Sequence, residues 1–321
     1  MHKIIDSCSF LPTPEALRQW FAIISKSEAY LRVFWKGFAH WADLTKEEYF
    51  AIIDGRSHED ARSHLIDRVG SAKSMSAAQF VAQMDEGGIQ TAVIHNSDCE
   101  RLLGVKPLPY EYTADIARQF RGRFAMLAGI DPLKGHRSVE ELNHCIQQLG
   151  YTGLLVVPFR NGIPASDEAF KPLYRRCQEL GAPVWIHSTN NWDPRFPMDY
   201  SHPRVVDKLA IEFPELKIMI GHAGWPWVLE AVTVAWRHPN VYVEVSAFHP
   251  KSIAEQGFGF EALLRFGPGP LRDKVLFGST WNLLNQPMGK ILNEVRKLPG
   301  VSQDLADKWL HHNAAKVLNL T

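Results

Sequence analysis

A surplus of charge of either sign is missing, since 35 lysines and arginines face 35 aspartates and glutamates in 321 residues. Binding to a phosphate backbone needs a basic excess, and a membrane-surface protein shows a basic helix face, so the composition excludes nucleic acid and membrane as partners. Cysteine is scarce as well. The four residues Cys8, Cys99, Cys145 and Cys177 have no paired spacing. They make neither a disulfide framework nor a structural zinc module, which fits a cytoplasmic location. No apolar run approaches the ~18 residues of a membrane span, and the opening Met1-His2-Lys3-Ile4-Ile5-Asp6 has no signal-peptide core. What is present is the make-up of an ordinary folded protein, 45% apolar and 22% charged, able to bury a large core.

Eight short runs rich in Val, Ile and Leu read as buried parallel strands: Lys3–Ile5, Thr91–His95, Phe124–Ile130, Gly153–Val157, Pro183–His187, Lys217–Gly221, Val241–Val245 and Val275–Gly278. Amphipathic helical stretches such as Ser138–Leu149 and Asp167–Leu180 separate them. From the second run onward the strand starts are roughly 25–35 residues apart, one βα unit each. No dinucleotide fingerprint follows the first strand, so the series predicts a closed (β/α)8 TIM barrel, an α/β fold, in a single domain over residues 1–321.

One connection breaks the spacing. Residues 10–90 are dense in aromatics, among them Trp20, Phe21, Tyr30, Phe34, Trp35, Phe38 and Trp41, and carry a helical pattern. This predicts a helical insertion between strands 1 and 2, about residues 12–85, covering the barrel mouth as a lid, a dimer surface or both.

Barrel chemistry is built at the C-terminal strand ends. Those ends carry Asp6 and Cys8, His95, Asp131, Arg160, His187, His222, Ser246 and Ser279-Thr280. Three of these ends carry histidines, and His187 and His222 are the candidates for acid/base work near neutrality. Arg160 is placed to clamp a substrate carboxylate bidentately. His95, Ser279 and the tryptophans Trp192, Trp225 and Trp281 are candidates to line a site for a planar substrate.

The set Pro183-Val184-Trp185-Ile186-His187, Phe213-Pro214-Glu215 through Gly221-His222-Ala223-Gly224, Asn240-Val241-Tyr242-Val243-Glu244-Val245-Ser246 and Val275-Leu276-Phe277-Gly278-Ser279 resembles the amidohydrolase-related family. This is the branch that includes aminocarboxymuconate semialdehyde decarboxylase. The resemblance implies two metal-binding histidines after the first strand, where this chain has Cys8 and Phe10. It implies a metal histidine at His187, a catalytic acid or base at His222, and a metal-binding aspartate where Thr280 stands.

A catalytic zinc site needs three protein ligands and an open position. With Phe10 and Thr280 at two ligand positions, no metal cofactor is expected; a zinc held by Cys8, His187 and His222 stays open as the alternative. Without a metal to acidify water, a histidine must act directly. The candidate catalytic residues are therefore His222, His187, Cys8 and Thr280, with Cys8 a second possible nucleophile if it ionises. The resulting expectation is a metal-independent enzyme that hydrolyses or decarboxylates a small carboxylated or aromatic molecule. A catalytically silent barrel that binds a ligand or partner is the alternative. The resemblance and the aromatic insertion together imply a homodimer.

Overall fold

In the computed structural model residues 4–320 are described, and Lys3, the first residue of the first predicted strand, lies outside them. Eight parallel strands follow one another around a single sheet in chain order. They are β1 Ile4–Asp6, β2 Ile89–Ser97, β3 Phe124–Gly129, β4 Gly153–Val156, β5 Val184–His187, β6 Ile218–Gly221, β7 Val241–Val245 and β8 Val275–Phe277. Their β-branched and leucine side chains are buried almost throughout, as a parallel sheet covered on both faces requires. The predicted strands all form, and the chain is a TIM barrel.

The last strand returns to the first through polar contacts. The Ser7 N–H donates to Phe277 O at 3.1 Å, and the Thr280 N–H donates to Cys8 O at 2.9 Å. Asp6 strengthens this seam. Its Oδ1 accepts the Ser279 N–H at 2.7 Å and its Oδ2 the Ser279 hydroxyl at 2.6 Å. Burial pushes the Asp6 carboxyl up to about 6 against the pull of these donors.

Between β1 and β2 run six helices: α1 Pro14–Ile24, α2 Glu28–Val33, α3 Trp35–Trp41, α4 Lys46–Asp54, α5 His58–Val69 and α6 Ala77–Glu86. Their ends are written locally. Pro14 occupies the first turn of α1, while Thr45 with Glu48 and Ser76 with Gln79 form capping boxes on α4 and α6. Aromatic contacts tie this layer to the barrel. Phe10, just beyond β1, meets Trp20 at 5.3 Å, Trp20 meets Phe38 at 5.4 Å, and Phe38 meets Phe21 at 5.1 Å. No described helix is long and apolar enough to cross a membrane.

Two glycines allow the barrel interior to close up. A Cβ on Gly221 would lie 2.3 Å from Cζ2 of Trp185, so the indole fills the space beneath β6. A Cβ on Gly278 would lie 2.5 Å from Cys8 N and 2.7 Å from Oε1 of Glu244. Only glycine at 278 lets Cys8 and Glu244 approach this closely.

Candidate active site

The C-terminal strand ends surround a cavity of about 310 Å³. Cys8, His95, Arg160, His187, His222 and Thr280 all line it, as do Trp192 and Trp225. Trp20, Ile24, Tyr30 and Phe34 of the insertion supply another side. Among the described residues lining it, Arg160 is the sole lysine or arginine and there is no carboxylate. A larger, more open cleft of about 870 Å³ lies between α3, α6 and residues 281–297, but it does not gather the histidines.

The backbone at the mouth is held in unfavourable regions. His222, Ala223, Ala247 and Thr280 have φ of 56°, 54°, 64° and 40°, a left-handed conformation that costs non-glycine residues about 1–3 kcal/mol each. The surrounding contacts fix it. The Ala247 N–H donates to the Thr280 hydroxyl at 3.1 Å, and that hydroxyl donates to Cys8 Sγ at 3.7 Å. His222 Nδ1 lies 2.8 Å from the Ser246 hydroxyl.

Beneath His222 sits Glu244, fully buried. Its Oε2 accepts from the Trp185 indole at 3.0 Å, the Ser246 hydroxyl at 2.9 Å and the His222 N–H at 3.3 Å, while Oε1 accepts from Ser7 at 3.3 Å. Burial pushes its carboxyl up to about 7, and these hydrogen bonds pull it back down. The rings form a continuous cluster: His187 and His222 are 5.1 Å apart, Trp185 is 5.0 Å from His222, and Phe159 is 5.1 Å from His187. The Arg160 guanidinium lies 5.7 Å from the Phe159 ring.

Every histidine of the cluster is held neutral. Burial, then Arg160, lowers His95 to about 4. Burial, His95 and Arg160 lower His222 to about 3, and burial, His222 and Arg160 hold His187 well below the usual imidazole range. In the free protein neither His187 nor His222 therefore carries the proton that an acid/base pair divided between them requires. Burial, with Glu244 nearby, also drives the Cys8 thiol far up, so Cys8 is not a thiolate nucleophile in this environment.

Two predicted substrate contacts fall elsewhere. Ser279 is spent on Asp6 and closes the barrel. Trp281 turns away from the cavity and packs on Phe80 and Trp41, at ring distances of 5.7 and 5.3 Å. Glu244 and Asn190 are site residues that the strand-end reading overlooked. For Glu244 a signal exists, because a carboxylate inside the otherwise apolar run Val241–Val245 must be buried and partnered. Asn190 stands in the loop after β5 and lines the cavity, and nothing in its spacing announces it.

The model of the family described as "Amidohydrolase" matches residues 39–320. The chain belongs to this amidohydrolase family. Among curated amidohydrolase relatives, 2-amino-3-carboxymuconate-6-semialdehyde decarboxylase of Dictyostelium discoideum is 30% identical over 163 residues, 44% of each chain. The match thus spans under half the length of that relative. An uncharacterised TIM-barrel protein from Bordetella bronchiseptica superposes with a TM-score of 0.67 at 20% identity, over 99% of both chains. The 5-carboxyvanillate decarboxylase of Novosphingobium aromaticivorans, complexed with manganese and 4-hydroxy-3-methoxy-5-nitrobenzoic acid, gives 0.62 at 16% identity, covering 99% of this chain and 96% of that one.

That neighbour corrects the expectation of no metal, because a decarboxylase of this fold holds manganese. The donors present here decide which ion fits. Cys8 Sγ, a ring nitrogen of His222 and a carboxylate oxygen of Glu244 all lie within 4.8 Å of one another. Oxygen-rich octahedral sites suit manganese, whereas thiolate, imidazole and carboxylate are the donors that zinc takes. The residues therefore fit a zinc-like divalent ion better than manganese.

Proposed function

We propose that this amidohydrolase-family protein cleaves a carbon–carbon bond of a planar carboxylated molecule, a decarboxylation, in the cavity at the barrel mouth. The observation that carries the reading is the pairing of one guanidinium, Arg160, with three neutral histidines inside aromatic walls. A substrate carboxylate finds one cation to recognise it. The ring lies against faces such as Phe159 and Trp225, and Asn190 and Thr189 supply polar contacts at the edge.

The electrostatics make proton transfer depend on substrate. Arg160 is among the causes that keep His187 and His222 unprotonated. A carboxylate seated on Arg160 offsets that field and raises both imidazole pKa values toward neutrality. His187, neutral in the free protein and outside the Cys8, His222 and Glu244 donor set, then becomes a competent acid, able to protonate the carbon that carbon dioxide leaves. Cys8, His222 and Glu244 would hold the divalent ion, which when bound supplies a positive centre for a substrate oxygen.

The test is to incubate the protein with hydroxybenzoates bearing one or two carboxyl groups and to measure released carbon dioxide. Release that is lost in His222→Ala and retained in Trp281→Phe supports the reading. Elemental analysis of protein purified without chelator, in parallel with Cys8→Ser, reports the ion: stoichiometric zinc in the first and loss in the second is expected. We also propose that the insertion and barrel form one folding unit, that the protein resides in the cytoplasm, and that it is a homodimer, which light scattering checks.

A further inference from the structure

The hydrogen atoms around Glu244 can be assigned by elimination. Its Oε2 receives the indole N–H of Trp185 at 3.0 Å and the backbone N–H of His222 at 3.3 Å. Both groups are obligate donors, so this oxygen is an acceptor. The Ser246 hydroxyl has a single hydrogen; of its two neighbouring acceptors, Cys8 is a weakly accepting sulfur already served by Thr280, so the hydrogen goes to Oε2 at 2.9 Å. Ser246 Oγ is also 2.8 Å from His222 Nδ1. Having no hydrogen left, it can only accept, and Nδ1 must carry the proton.

We infer that Glu244, acting through Ser246, is a positioning residue that fixes His222 as the Nδ1–H tautomer and leaves Nε2 bare for the cavity. Neither residue touches substrate in this scheme. Their effect is to choose which nitrogen does chemistry. A bare Nε2 can accept a proton or coordinate an ion, whereas in the opposite tautomer Nε2 carries a hydrogen and can do neither. Position 222 also has left-handed backbone, and its own N–H is one of the three donors on Oε2. Ring and backbone of His222 are thus both anchored to the same carboxylate oxygen.

The inference rests on the reading of His222 as a working group of the proposed site, but its test does not require turnover. Nitrogen-15 NMR of the metal-free, chelator-treated protein at pH 8, with His222 assigned by its loss in His222→Gln, reports the tautomer directly. Wild-type protein should show Nδ1 in the protonated range and Nε2 in the bare range. Ser246→Ala removes the hydroxyl acceptor and leaves the residue-246 backbone, which also bonds the ring, so the two resonances should move toward each other and average. Ser246→Thr keeps the hydroxyl and should match wild type.

Glu244→Leu frees the Ser246 hydrogen to donate to Nδ1 and should also reverse the ring. Glu244→Gln keeps an oxygen facing the three donors and should not. A wild-type ring protonated on Nε2, or a ring unchanged in both Ser246→Ala and Glu244→Leu, overturns the inference. If the tautomer is as stated while no carboxylated aromatic is turned over, the failure belongs to the proposed reaction.

Discussion

Replacing Arg160 by methionine keeps most of the stem and removes the one cation that lines the cavity. Two separate effects follow. A bound carboxylate loses a charge-assisted hydrogen-bond partner, worth about 1.5–3 kcal/mol, so affinity should fall roughly 10–150-fold. The three histidines lose a shared neighbour at the same time. In His95, His187 and His222 burial is the first cause of the lowered pKa and Arg160 a later one. All three values should therefore rise in the variant, His95 from about 4 and His222 from about 3, yet stay below 6.5 because burial persists.

Calorimetry with a hydroxybenzoate measures the first effect, and an NMR titration of the ring resonances measures the second. Wild type adds a linked signature. A carboxylate that raises the imidazole pKa values makes binding take up protons as the pH falls toward them, and repeating the calorimetry in buffers of different ionisation enthalpy detects this. Histidine pKa values that do not move in Arg160→Met, together with affinity changed less than twofold, would refute the electrostatic reasoning.

The pH dependence of stability can be isolated at His95. Its folded pKa lies below the unfolded value, so its favourable contribution is intact above 6.5 and is lost as the pH falls toward about 4. The raised carboxyls Asp6 and Glu244 act in the opposite sense, their contribution shrinking as the pH rises to about 6 and 7. The comparison is therefore between proteins: the fall in Tm between pH 6.5 and 4 should be shallower in His95→Asn than in wild type, and equal slopes would count against the assignment. Gly221→Ala drives a Cβ to 2.3 Å from Trp185; overpacking of this kind costs about 1–3 kcal/mol, so thermal unfolding should move down by several degrees, and an unchanged Tm would show that the indole has room to shift. Trp281→Phe should lower stability while leaving ligand affinity within about twofold, since stacking of this kind is worth ~0.5–1.5 kcal/mol to the fold and the ring does not line the cavity. Cys8→His, Phe10→His and Thr280→Asp together restore the donors that the family resemblance implies; the triple variant should bind manganese measurably more tightly than wild type, and a folded variant that does not would break the strand-end correspondence.

The barrel was legible because each strand is written in local chemistry, a brief β-branched run closed by a polar or small residue. The rim was legible for the same reason, since by position alone His187 ends β5 and His222 directly follows β6. What escaped depends on direction and on partners. Ser279 and Thr280 are neighbours in the chain, yet one hydroxyl faces Asp6 across the seam and the other Cys8 at the cavity. Trp281 and Trp225 stand at equivalent strand ends, but the first is claimed by Phe80 and Trp41 while the second lines the cavity. Such choices arise from long-range packing that no spacing encodes.

Phe10 shows how that packing bears on chemistry. Its ring starts the aromatic chain through Trp20 to Phe38 that joins the insertion to the barrel, so the position has been given to hydrophobic contact with the insertion. Truncating a buried aromatic costs about 3–5 kcal/mol, which sets the scale of stability that a ligand at residue 10 would forgo. The donors that remain lie within 4.8 Å of one another: Cys8 just after β1, His222 just after β6 and Glu244 in β7. The ion site we propose on them therefore draws on β6 and β7 as well as β1, and it adjoins the Ser246–Glu244 hydrogen bond.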